Sequence, residues 1–246
     1  MQSKRTVIVT GAAKGIGKAI VERFIKDNYK VIAIDIDTEN GKKLESEFSP
    51  ENLEFYKVDI SNEADVKAFY TDLLSKKQSI DVLVNNAGII RDNMIWNMES
   101  EDFDLVMNIN LRGVWLMCRE AAKLMRNQKS GRIVNIASRA WLGNRGQSNY
   151  SASKAGVVGL TRVLALELGK YNVLVNAIAP GLIDTPLTQK LTPETLQKLI
   201  ETQPTKTMGS PEDVANAVSF LSAETTQFIT GQTLYVDGGK SIGAGI

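Results

Sequence analysis

The chain contains no histidine among its 246 residues, and this absence removes several kinds of active site. It excludes Ser-His-Asp triads, Cys-His pairs, HExxH zinc sites and any imidazole general base. Acid–base chemistry near neutral pH must therefore use a carboxylate, a lysine, a tyrosine or the cysteine.

Cysteine, excess charge and long apolar runs are equally scarce. Cys118 is the only cysteine, so no intrachain disulfide can form and we expect no bound metal. The formal charge of +1 gives no reason to expect nucleic acid or an anionic membrane as a partner. No run approaches the roughly 18 apolar residues of a membrane span, and the start of the chain lacks the apolar region of a signal peptide. We expect a cytoplasmic protein.

Short apolar, β-branched runs alternate with longer helical patterns along most of the chain. Strands this apolar require a parallel sheet that helices cover on both faces. The sequence therefore predicts a doubly wound, Rossmann-type α/β fold in a single domain, residues 1–246. The predicted strands are 6–10, 31–34, 53–58, 82–84, 133–136, 173–178 and 232–236, and the predicted helices include 15–28, 39–48, 63–74, 100–125 and one that begins near 150.

The alternation breaks after Pro180-Gly181. Residues 182–209 are polar and hold three of the six prolines, which predicts a loop or a small helical excursion. Beyond the carboxyl end of a strand, such an insertion suits a substrate lid. Ser210 as N-cap, with Pro211 at the first helical position, predicts that a helix restarts there.

Thr10-Gly11-Ala12-Ala13-Lys14-Gly15-Ile16-Gly17 follows the first strand and opens the first helix. Gly11 permits a tight turn, Gly15 lets the backbone approach a pyrophosphate, and Gly17 lets the helix pack against the sheet. The helix N-terminus would supply N–H donors for the phosphates. A plain strand-to-helix turn also uses glycine, so the prediction of a phosphate-binding loop depends on the motif's position at the first βα junction.

An acid ends the second predicted strand. Asp35 lies 18 residues after Gly17, where a carboxylate can accept hydrogen bonds from the adenosine ribose hydroxyls and repel a 2′-phosphate. Asp37 adds negative charge, whereas Lys14 could pair with a 2′-phosphate. Because a carboxylate at the ribose should outweigh a flexible lysine, we expect NAD(H) rather than NADP(H). A turn-capping role is the alternative for Asp35.

Polar residues also follow the third and fourth strands. Asp59 could meet the adenine amino group. Asn85-Asn86-Ala87-Gly88 would leave room for the adenosine ribose against the backbone, although NNAG alone is an ordinary turn signal.

Tyr150 and Lys154 lie four residues apart, and therefore on one face of a helix. Such a pair alone is typical of surface packing. A phenol with a pKa near 10 is a weak acid at pH 7, but a nearby ammonium and an oxidised nicotinamide would lower that pKa. Tyr150 could then exchange a proton with a carbonyl or alcohol oxygen as hydride moves at the adjacent carbon. Ser138, at the end of the fifth strand, could orient that oxygen or be a turn serine.

TGAAKGIG, NNAG, Ser138, YSASK and Pro180-Gly181, in this order, resemble the short-chain dehydrogenase/reductase family over nearly the whole chain. The resemblance implies that Tyr150 is the catalytic acid/base, Lys154 its pKa-lowering partner, Ser138 the substrate-oxygen ligand and Asn110 the holder of a water in a proton relay. Eleven residues separate Ser138 from Tyr150, one fewer than in the commonest pattern, which puts the shape of loop 139–149 in doubt.

The same resemblance assigns the cofactor contacts, with Thr185 beside the nicotinamide carboxamide. The implied cofactor-binding residues are Gly11, Lys14, Gly15, Ile16, Gly17, Asp35, Asp59, Ile60, Asn86, Ala87, Gly88, Tyr150, Lys154, Pro180, Gly181, Ile183 and Thr185.

Within the family, residues 85–94, 131–134 and 228–232 look like 3-oxoacyl-acyl-carrier-protein reductases and acetoacetyl-CoA reductases. This implies an acyl-thioester substrate, a role in fatty acid biosynthesis and acyl carrier protein as a candidate partner. The cations that could form a basic patch for that partner are Arg126, Lys129 and Arg132. These enzymes usually use NADPH, against which Asp35 argues.

Other functions stay open. NAD-dependent secondary-alcohol, polyol and hydroxyacyl dehydrogenases working in the oxidative direction share the scaffold, and a dinucleotide sensor or an interaction subunit are alternatives. The wide apolar faces near 100–125 and 150–169 look like the family's four-helix dimer interface, so we expect a homotetramer. Residues 139–145 should line the substrate pocket, with Trp141 as an apolar wall and Arg139 or Arg145 facing an anionic substrate.

Overall fold

Seven short strands pair side by side, all parallel, in the order β3-β2-β1-β4-β5-β6-β7. The computed structural model describes residues 4–242, so the ends of the predicted domain, 1–3 and 243–246, lie outside the described residues. The strands are β1 (Thr6–Thr10), β2 (Lys30–Asp35), β3 (Leu53–Lys57), β4 (Val82–Asn85), β5 (Gly131–Ile136), β6 (Val173–Pro180) and β7 (Thr233–Val236). The α-helices are α1 (Gly15–Lys26), α2 (Thr38–Ser46), α3 (Glu63–Ser75), α4 (Ser100–Met107), α5 (Val114–Gln128), α6 (Ser148–Leu168), α7 (Pro193–Glu201) and α8 (Pro211–Ser222).

Two apolar layers hold the sheet between helices. Because side chains alternate across a strand, Ile8 of β1 packs on one face while Val7 and Val9 pack on the other. The first layer contains residues of α3, α5 and α6, and the second contains residues of α1, α2 and α8. The predicted doubly wound, single-domain α/β fold is confirmed.

The strand order reverses beside β1. The chain first adds β2 and β3 on one side of β1 and then crosses over to pair β4 with its other side. In open α/β sheets, ligands bind in the crevice outside the carboxyl ends of the strands at such a reversal. The loops after β1 and β4 meet there.

The predicted helix over 100–125 was wrong in its continuity. A π-helical segment, Asn108–Gly113, separates α4 from α5. Such segments are common at functional sites because they displace side chains from the regular helical positions. Asn110 lies in this segment and is fully buried.

Residues 182–209 contain the helix α7, and a β-bridge between Ile183 and Gly209 closes the base of the excursion. The predicted restart is confirmed, since the Ser210 side chain accepts a hydrogen bond from the Asp213 N–H and Pro211 begins α8. No helix within residues 4–242 is long and apolar enough to cross a membrane.

Candidate active site

The glycine loop is locked to the loop after β4. The Thr10 hydroxyl accepts hydrogen bonds from the N–H groups of Asn86 (3.0 Å) and Ala87 (3.1 Å). In return, the Asn86 amide nitrogen donates to the carbonyl oxygens of Thr10 (3.0 Å) and Gly11 (2.9 Å). Sequence analysis missed this role of Thr10. The usable signal was a hydroxyl at the end of a buried strand, which must find its hydrogen-bond partner in the loop of a neighbouring strand.

Gly17 allows the closest approach in this loop. A Cβ built on it would lie 1.9 Å from the Gly11 carbonyl oxygen, so no side chain fits. Gly11 and Gly15 have φ of +62° and +56°, in the left-handed region that favours glycine. No side chain of the described residues caps the start of α1 at Lys14, so the first N–H groups of the helix face outward as a potential anion site.

An acidic cluster with one lysine lies at the end of β2. Asp35 accepts hydrogen bonds from the N–H groups of Ala13 (3.0 Å) and Asp37 (3.0 Å), which fix its carboxylate against the glycine loop. Lys14 Nζ lies 2.9 Å from Asp37 Oδ2. The hydrogen bonds from Lys14 and Asn40 lower the pKa of Asp37 to about 2, and Asp37 in turn raises the pKa of Lys14.

Asp59 and Ile60 lie beyond the end of β3, which stops at Lys57. Asp59 is exposed, and its carboxylate accepts hydrogen bonds from the Ser61 N–H (2.9 Å) and hydroxyl (2.7 Å). The Ile60 side chain is buried against Gly113, so only its backbone faces the site.

The predicted catalytic residues converge at the carboxyl ends of β4 and β5. Lys154 is 3% exposed, and its Nζ donates to the Ile136 carbonyl oxygen at 2.7 Å. The same Nζ lies 5.7 Å from the centre of the Tyr150 ring. Burial lowers the pKa of Lys154 to about 8, because the protein interior disfavours the ammonium form.

Ser138 lies two residues beyond the end of β5, and its hydroxyl accepts a hydrogen bond from the Ala140 N–H at 3.1 Å. The Ser138 hydroxyl also lowers the pKa of the Tyr150 phenol and so opposes the effect of burial on it. Burial is the larger effect, so the pKa of Tyr150 is raised. The expected lowering of this pKa is therefore not met by the protein's own groups, because burial disfavours the phenolate form.

Asn110 reaches from the π-helical segment to the loop after β4. Its side-chain oxygen accepts from the Ile89 N–H (2.8 Å), and its nitrogen donates to the Ile89 carbonyl oxygen (2.9 Å). A Cβ built on Gly88 would lie 3.2 Å from Asn110 Oδ1 and 3.6 Å from Lys154 Nζ. The Asn110 amide and the Lys154 ammonium therefore both lie next to Gly88.

The segment after β6 approaches the glycine loop from the other side. A Cβ built on Gly15 would be 3.9 Å from Thr185 Cβ. The Thr185 N–H donates to the Thr188 hydroxyl at 2.8 Å, which shapes the turn after Ile183. Pro180 ends β6, and a Cβ on Gly181 would lie 2.7 Å from Asp237 Cβ.

One expectation about surface groups needs correction. Arg132 is 5% exposed and donates to the carbonyl oxygens of Gly131, Asn172 and Thr226, so it cannot belong to a surface basic patch with Arg126 and Lys129. Trp141 packs against the core, whereas Arg145 lines a cavity of ≈ 360 Å³ beside the first turn of α6.

Known proteins share this architecture along nearly the whole chain. The family model described as enoyl-(acyl carrier protein) reductase matches residues 11–241. Over 98% of both chains, the sequence is 43% identical to the (2S)-[(R)-hydroxy(phenyl)methyl]succinyl-CoA dehydrogenase subunit BbsD of Thauera aromatica. It is 41% identical to the 3-oxoacyl-acyl-carrier-protein reductase FabG of Thermotoga maritima, over 97% of this chain and 98% of that one.

Solved structures agree with the fold. Levodione reductase superposes with a TM-score of 0.91 at 35% identity and 98% coverage of both chains. A structure described as ElxO with NADP bound has a TM-score of 0.91 at 34% identity, covering 96% of this chain and 98% of that one. The chain belongs to the short-chain dehydrogenase/reductase family of oxidoreductases.

Proposed function

We propose that the protein is an NAD(H)-dependent oxidoreductase that interconverts a ketone and a secondary alcohol on an acyl thioester. The observation that carries this proposal is the meeting of Tyr150, Ser138 and the Lys154 ammonium at the carboxyl ends of the strands, beside the glycine loop. In a chain without histidine, this is the group of side chains best placed to exchange a proton.

The residues present fit a dinucleotide. The uncapped start of α1 offers N–H donors to a pyrophosphate. The buried Lys154 has three N–H donors, of which the Ile136 carbonyl oxygen takes one, so the others can bind ribose hydroxyls. When bound, the reduced nicotinamide supplies hydride to the carbonyl carbon.

The chain's own residues then handle the proton. Tyr150 donates its phenolic proton to the substrate oxygen during reduction and takes it back during oxidation. Ser138 hydrogen-bonds the same oxygen and holds it in line with the phenol. Lys154 stabilises the phenolate by its positive charge, and Asn110 positions a water through which the proton is replaced.

Asp35 supports the choice of NAD(H). Its carboxylate is fixed where the adenosine ribose would lie, and it would repel a 2′-phosphate. The only cation in the glycine loop, Lys14, is paired with Asp37. The NADP bound to ElxO belongs to that protein, and this acidic cluster argues for the other cofactor here.

Two relatives support an acyl-thioester substrate, one named as a reductase and the other as a dehydrogenase. FabG proteins are named as reductases of 3-oxoacyl groups on acyl carrier protein, and the Thauera aromatica protein is named as a dehydrogenase of a succinyl-CoA derivative. The first name supports a reductase in fatty acid biosynthesis. The second supports the alternative, a hydroxyacyl-CoA dehydrogenase that works in the oxidative direction.

The remaining expectations accompany this proposal. Residues 182–209 form a lid over the substrate, supported by the bridge at the base of the excursion and by the exposed apolar side chains Leu187, Leu191 and Leu199. Self-association as a homotetramer is supported by a groove of ≈ 560 Å³ lined by Leu111, Trp115 and Leu160. Acyl carrier protein as partner and a cytoplasmic location stay predictions.

The test is a titration of the purified protein with NADH and NADPH, followed by turnover of acetoacetyl-CoA with each and of 3-hydroxybutyryl-CoA with NAD⁺. We expect tight NADH binding and turnover of the thioester. NADPH preference would overturn the role of Asp35. NADH binding with turnover of polyols or simple secondary alcohols, but of no thioester, would overturn the substrate class.

A further inference from the structure

A cavity of ≈ 360 Å³ lies between the loop after β4 and the loop after β5. Its floor is the first turn of α6, where Ser148 and Ser151 flank Tyr150. Tyr150 itself does not line the cavity, but it lies in the same helical turn, so the cavity is near enough to hold the part of the substrate that does not react.

The two loops that form this cavity are tied together. The Asn93 N–H donates to the Gly146 carbonyl oxygen at 2.9 Å, within a parallel β-bridge between Asn93 and Gln147. The Gln147 amide donates to Asp92 at 2.8 Å. The cavity is thus preformed, which reduces the entropy lost when a ligand binds.

One wall of the cavity is apolar and exposed. Met94, Ile95 and Trp96 form it, and Ile95 and Trp96 are 68% and 73% exposed. A wall of this kind favours the apolar body of an acyl group.

A second wall holds the only charged side chain of the cavity lining, that of Arg145. The side-chain amides of Asn93 and Asn144 are neutral, and each already donates one hydrogen bond, to Asn97 and Gln147 respectively. The Ser148 hydroxyl contacts Met98 Sδ, and the Ser151 hydroxyl is shielded from solvent. Arg145 lines the same wall, is exposed and has no hydrogen-bond or carboxylate partner anywhere in residues 4–242.

A guanidinium beside an apolar wall selects an anionic ligand whose oxygens can accept two parallel hydrogen bonds, as carboxylates and phosphates do. We propose that Arg145 binds an anionic group of the substrate, distant from the reacting carbon, and thereby determines specificity. This inference rests on the proposed function. The anion can be a carboxylate at the far end of the acyl chain or a phosphate of the thioester carrier.

Four substrates, which combine two acyl ends with two thioester carriers, distinguish the two sources of the anion. A 3-oxoacyl chain ends in a carboxylate or in its methyl ester, and each is presented as the coenzyme A thioester or as the phosphate-free N-acetylcysteamine thioester. Steady-state kinetics with NADH give KM and kcat for each. Calorimetry with NAD⁺-saturated protein gives the Kd of each ketone without turnover.

We expect Arg145→Gln to raise KM and Kd by about 10- to 100-fold for the substrates that carry the recognised anion, with kcat changed little. Arg145→Lys should recover part of the loss. The control, Arg162→Gln, removes an exposed arginine of α6 and should change neither value. Loss confined to carboxylate-ended substrates assigns the acyl end, and loss confined to coenzyme A thioesters assigns the carrier phosphate.

Equal values for Arg145→Gln and the unaltered protein on every substrate would overturn the inference and leave the proposed function intact. Absence of turnover by the unaltered protein would overturn the proposed function, and the calorimetric Kd values would still decide whether Arg145 binds the anion.

Discussion

At the scale of single residues, the buried cation of the site is Lys154, and burying it costs folding stability. Lys154 is 3% exposed, its ammonium donates to the Ile136 carbonyl oxygen, and its pKa is lowered to about 8. A charge held in this way destabilises the folded protein at neutral pH, a cost that fits the phenolate-stabilising role proposed for Lys154.

This cost predicts how stability depends on pH. The folded protein releases the Lys154 proton from about pH 8, whereas the unfolded chain keeps it until about pH 10.5, so the unfolded state binds more protons between these values. The contribution of Lys154 to the free energy of unfolding therefore rises with pH, by roughly 2 kcal/mol from pH 7 to 9.5. Urea unfolding of the protein and of Lys154→Met at both pH values should show this rise only in the former. Parallel pH profiles would contradict the burial of a charged Lys154.

Tyr150 carries the second prediction at this scale. Tyr150→Phe should lower kcat by about 100- to 10,000-fold, because a positioned proton donor contributes that much to the rate. The Kd for NADH, from fluorescence titration, should stay within about twofold. Tyr171→Phe, which removes a phenol just before β6, at the opposite end of the strands from the site, is the matched control and should leave kcat unchanged. A Tyr150→Phe variant with nearly full activity would mean that another group exchanges the proton.

The proposed preference for NAD(H) can also be tested at single carboxylates. Asp35→Ser should raise kcat/KM for NADPH relative to NADH by at least about tenfold, since it removes a like charge from the 2′-phosphate site. Asp37→Asn should raise the same ratio by only about two- to fivefold, because it frees Lys14 from an exposed ion pair. Glu39→Gln, at an exposed acid in the first turn of α2, is the control. An unchanged ratio in Asp35→Ser would contradict the assignment of NAD(H).

At the scale of elements, the glycine loop requires Gly17 because the backbone of α1 packs directly against Gly11. Gly17→Ala would place a Cβ 1.9 Å from the Gly11 carbonyl oxygen, so α1 must move away from the sheet. We expect a loss of about 3 kcal/mol in the free energy of unfolding and a much weaker NADH affinity. Gly169→Ala, where an added Cβ meets nothing within 4 Å, should change stability by less than about 1 kcal/mol. Denaturant unfolding and NADH titration of both variants make the comparison.

The elements also show what sequence could and could not predict. Apolar runs were sufficient for the strands and the fold class, and Asp35 was placed by its position at the end of the second strand, because these follow from local patterns. The Tyr150 and Lys154 pair was singled out by its helical spacing together with the resemblance to a known family. The π-helical segment could not be predicted, since it depends on the Asn110 amide bonding to Ile89 across the site. The burial of Arg132 was missed for a similar reason: its carbonyl partners come from residues 131, 172 and 226.

At the scale of the whole molecule, apolar side chains remain exposed on α6. Leu166 and Val163 are 86% and 50% exposed, and Gly159 on the same face leaves room for another helix. Leu166→Glu should therefore reduce the sedimentation coefficient to that of a smaller species. Leu74→Glu, at an exposed leucine of α3, should leave it unchanged. Equal sedimentation of both variants would contradict an interface on α6.

The sheet pairs strands that are distant in the chain, and this has a consequence for folding. β1 finds its second neighbour in β4, so that Thr10 bonds to Asn86, and the remaining site residues extend to Thr185. Folding rates fall as contacting residues lie farther apart in sequence, because the entropy of closing large loops is lost before the contacts form. The nascent chain can therefore complete the crevice of the site only after residues as far along as Thr185 have been synthesised.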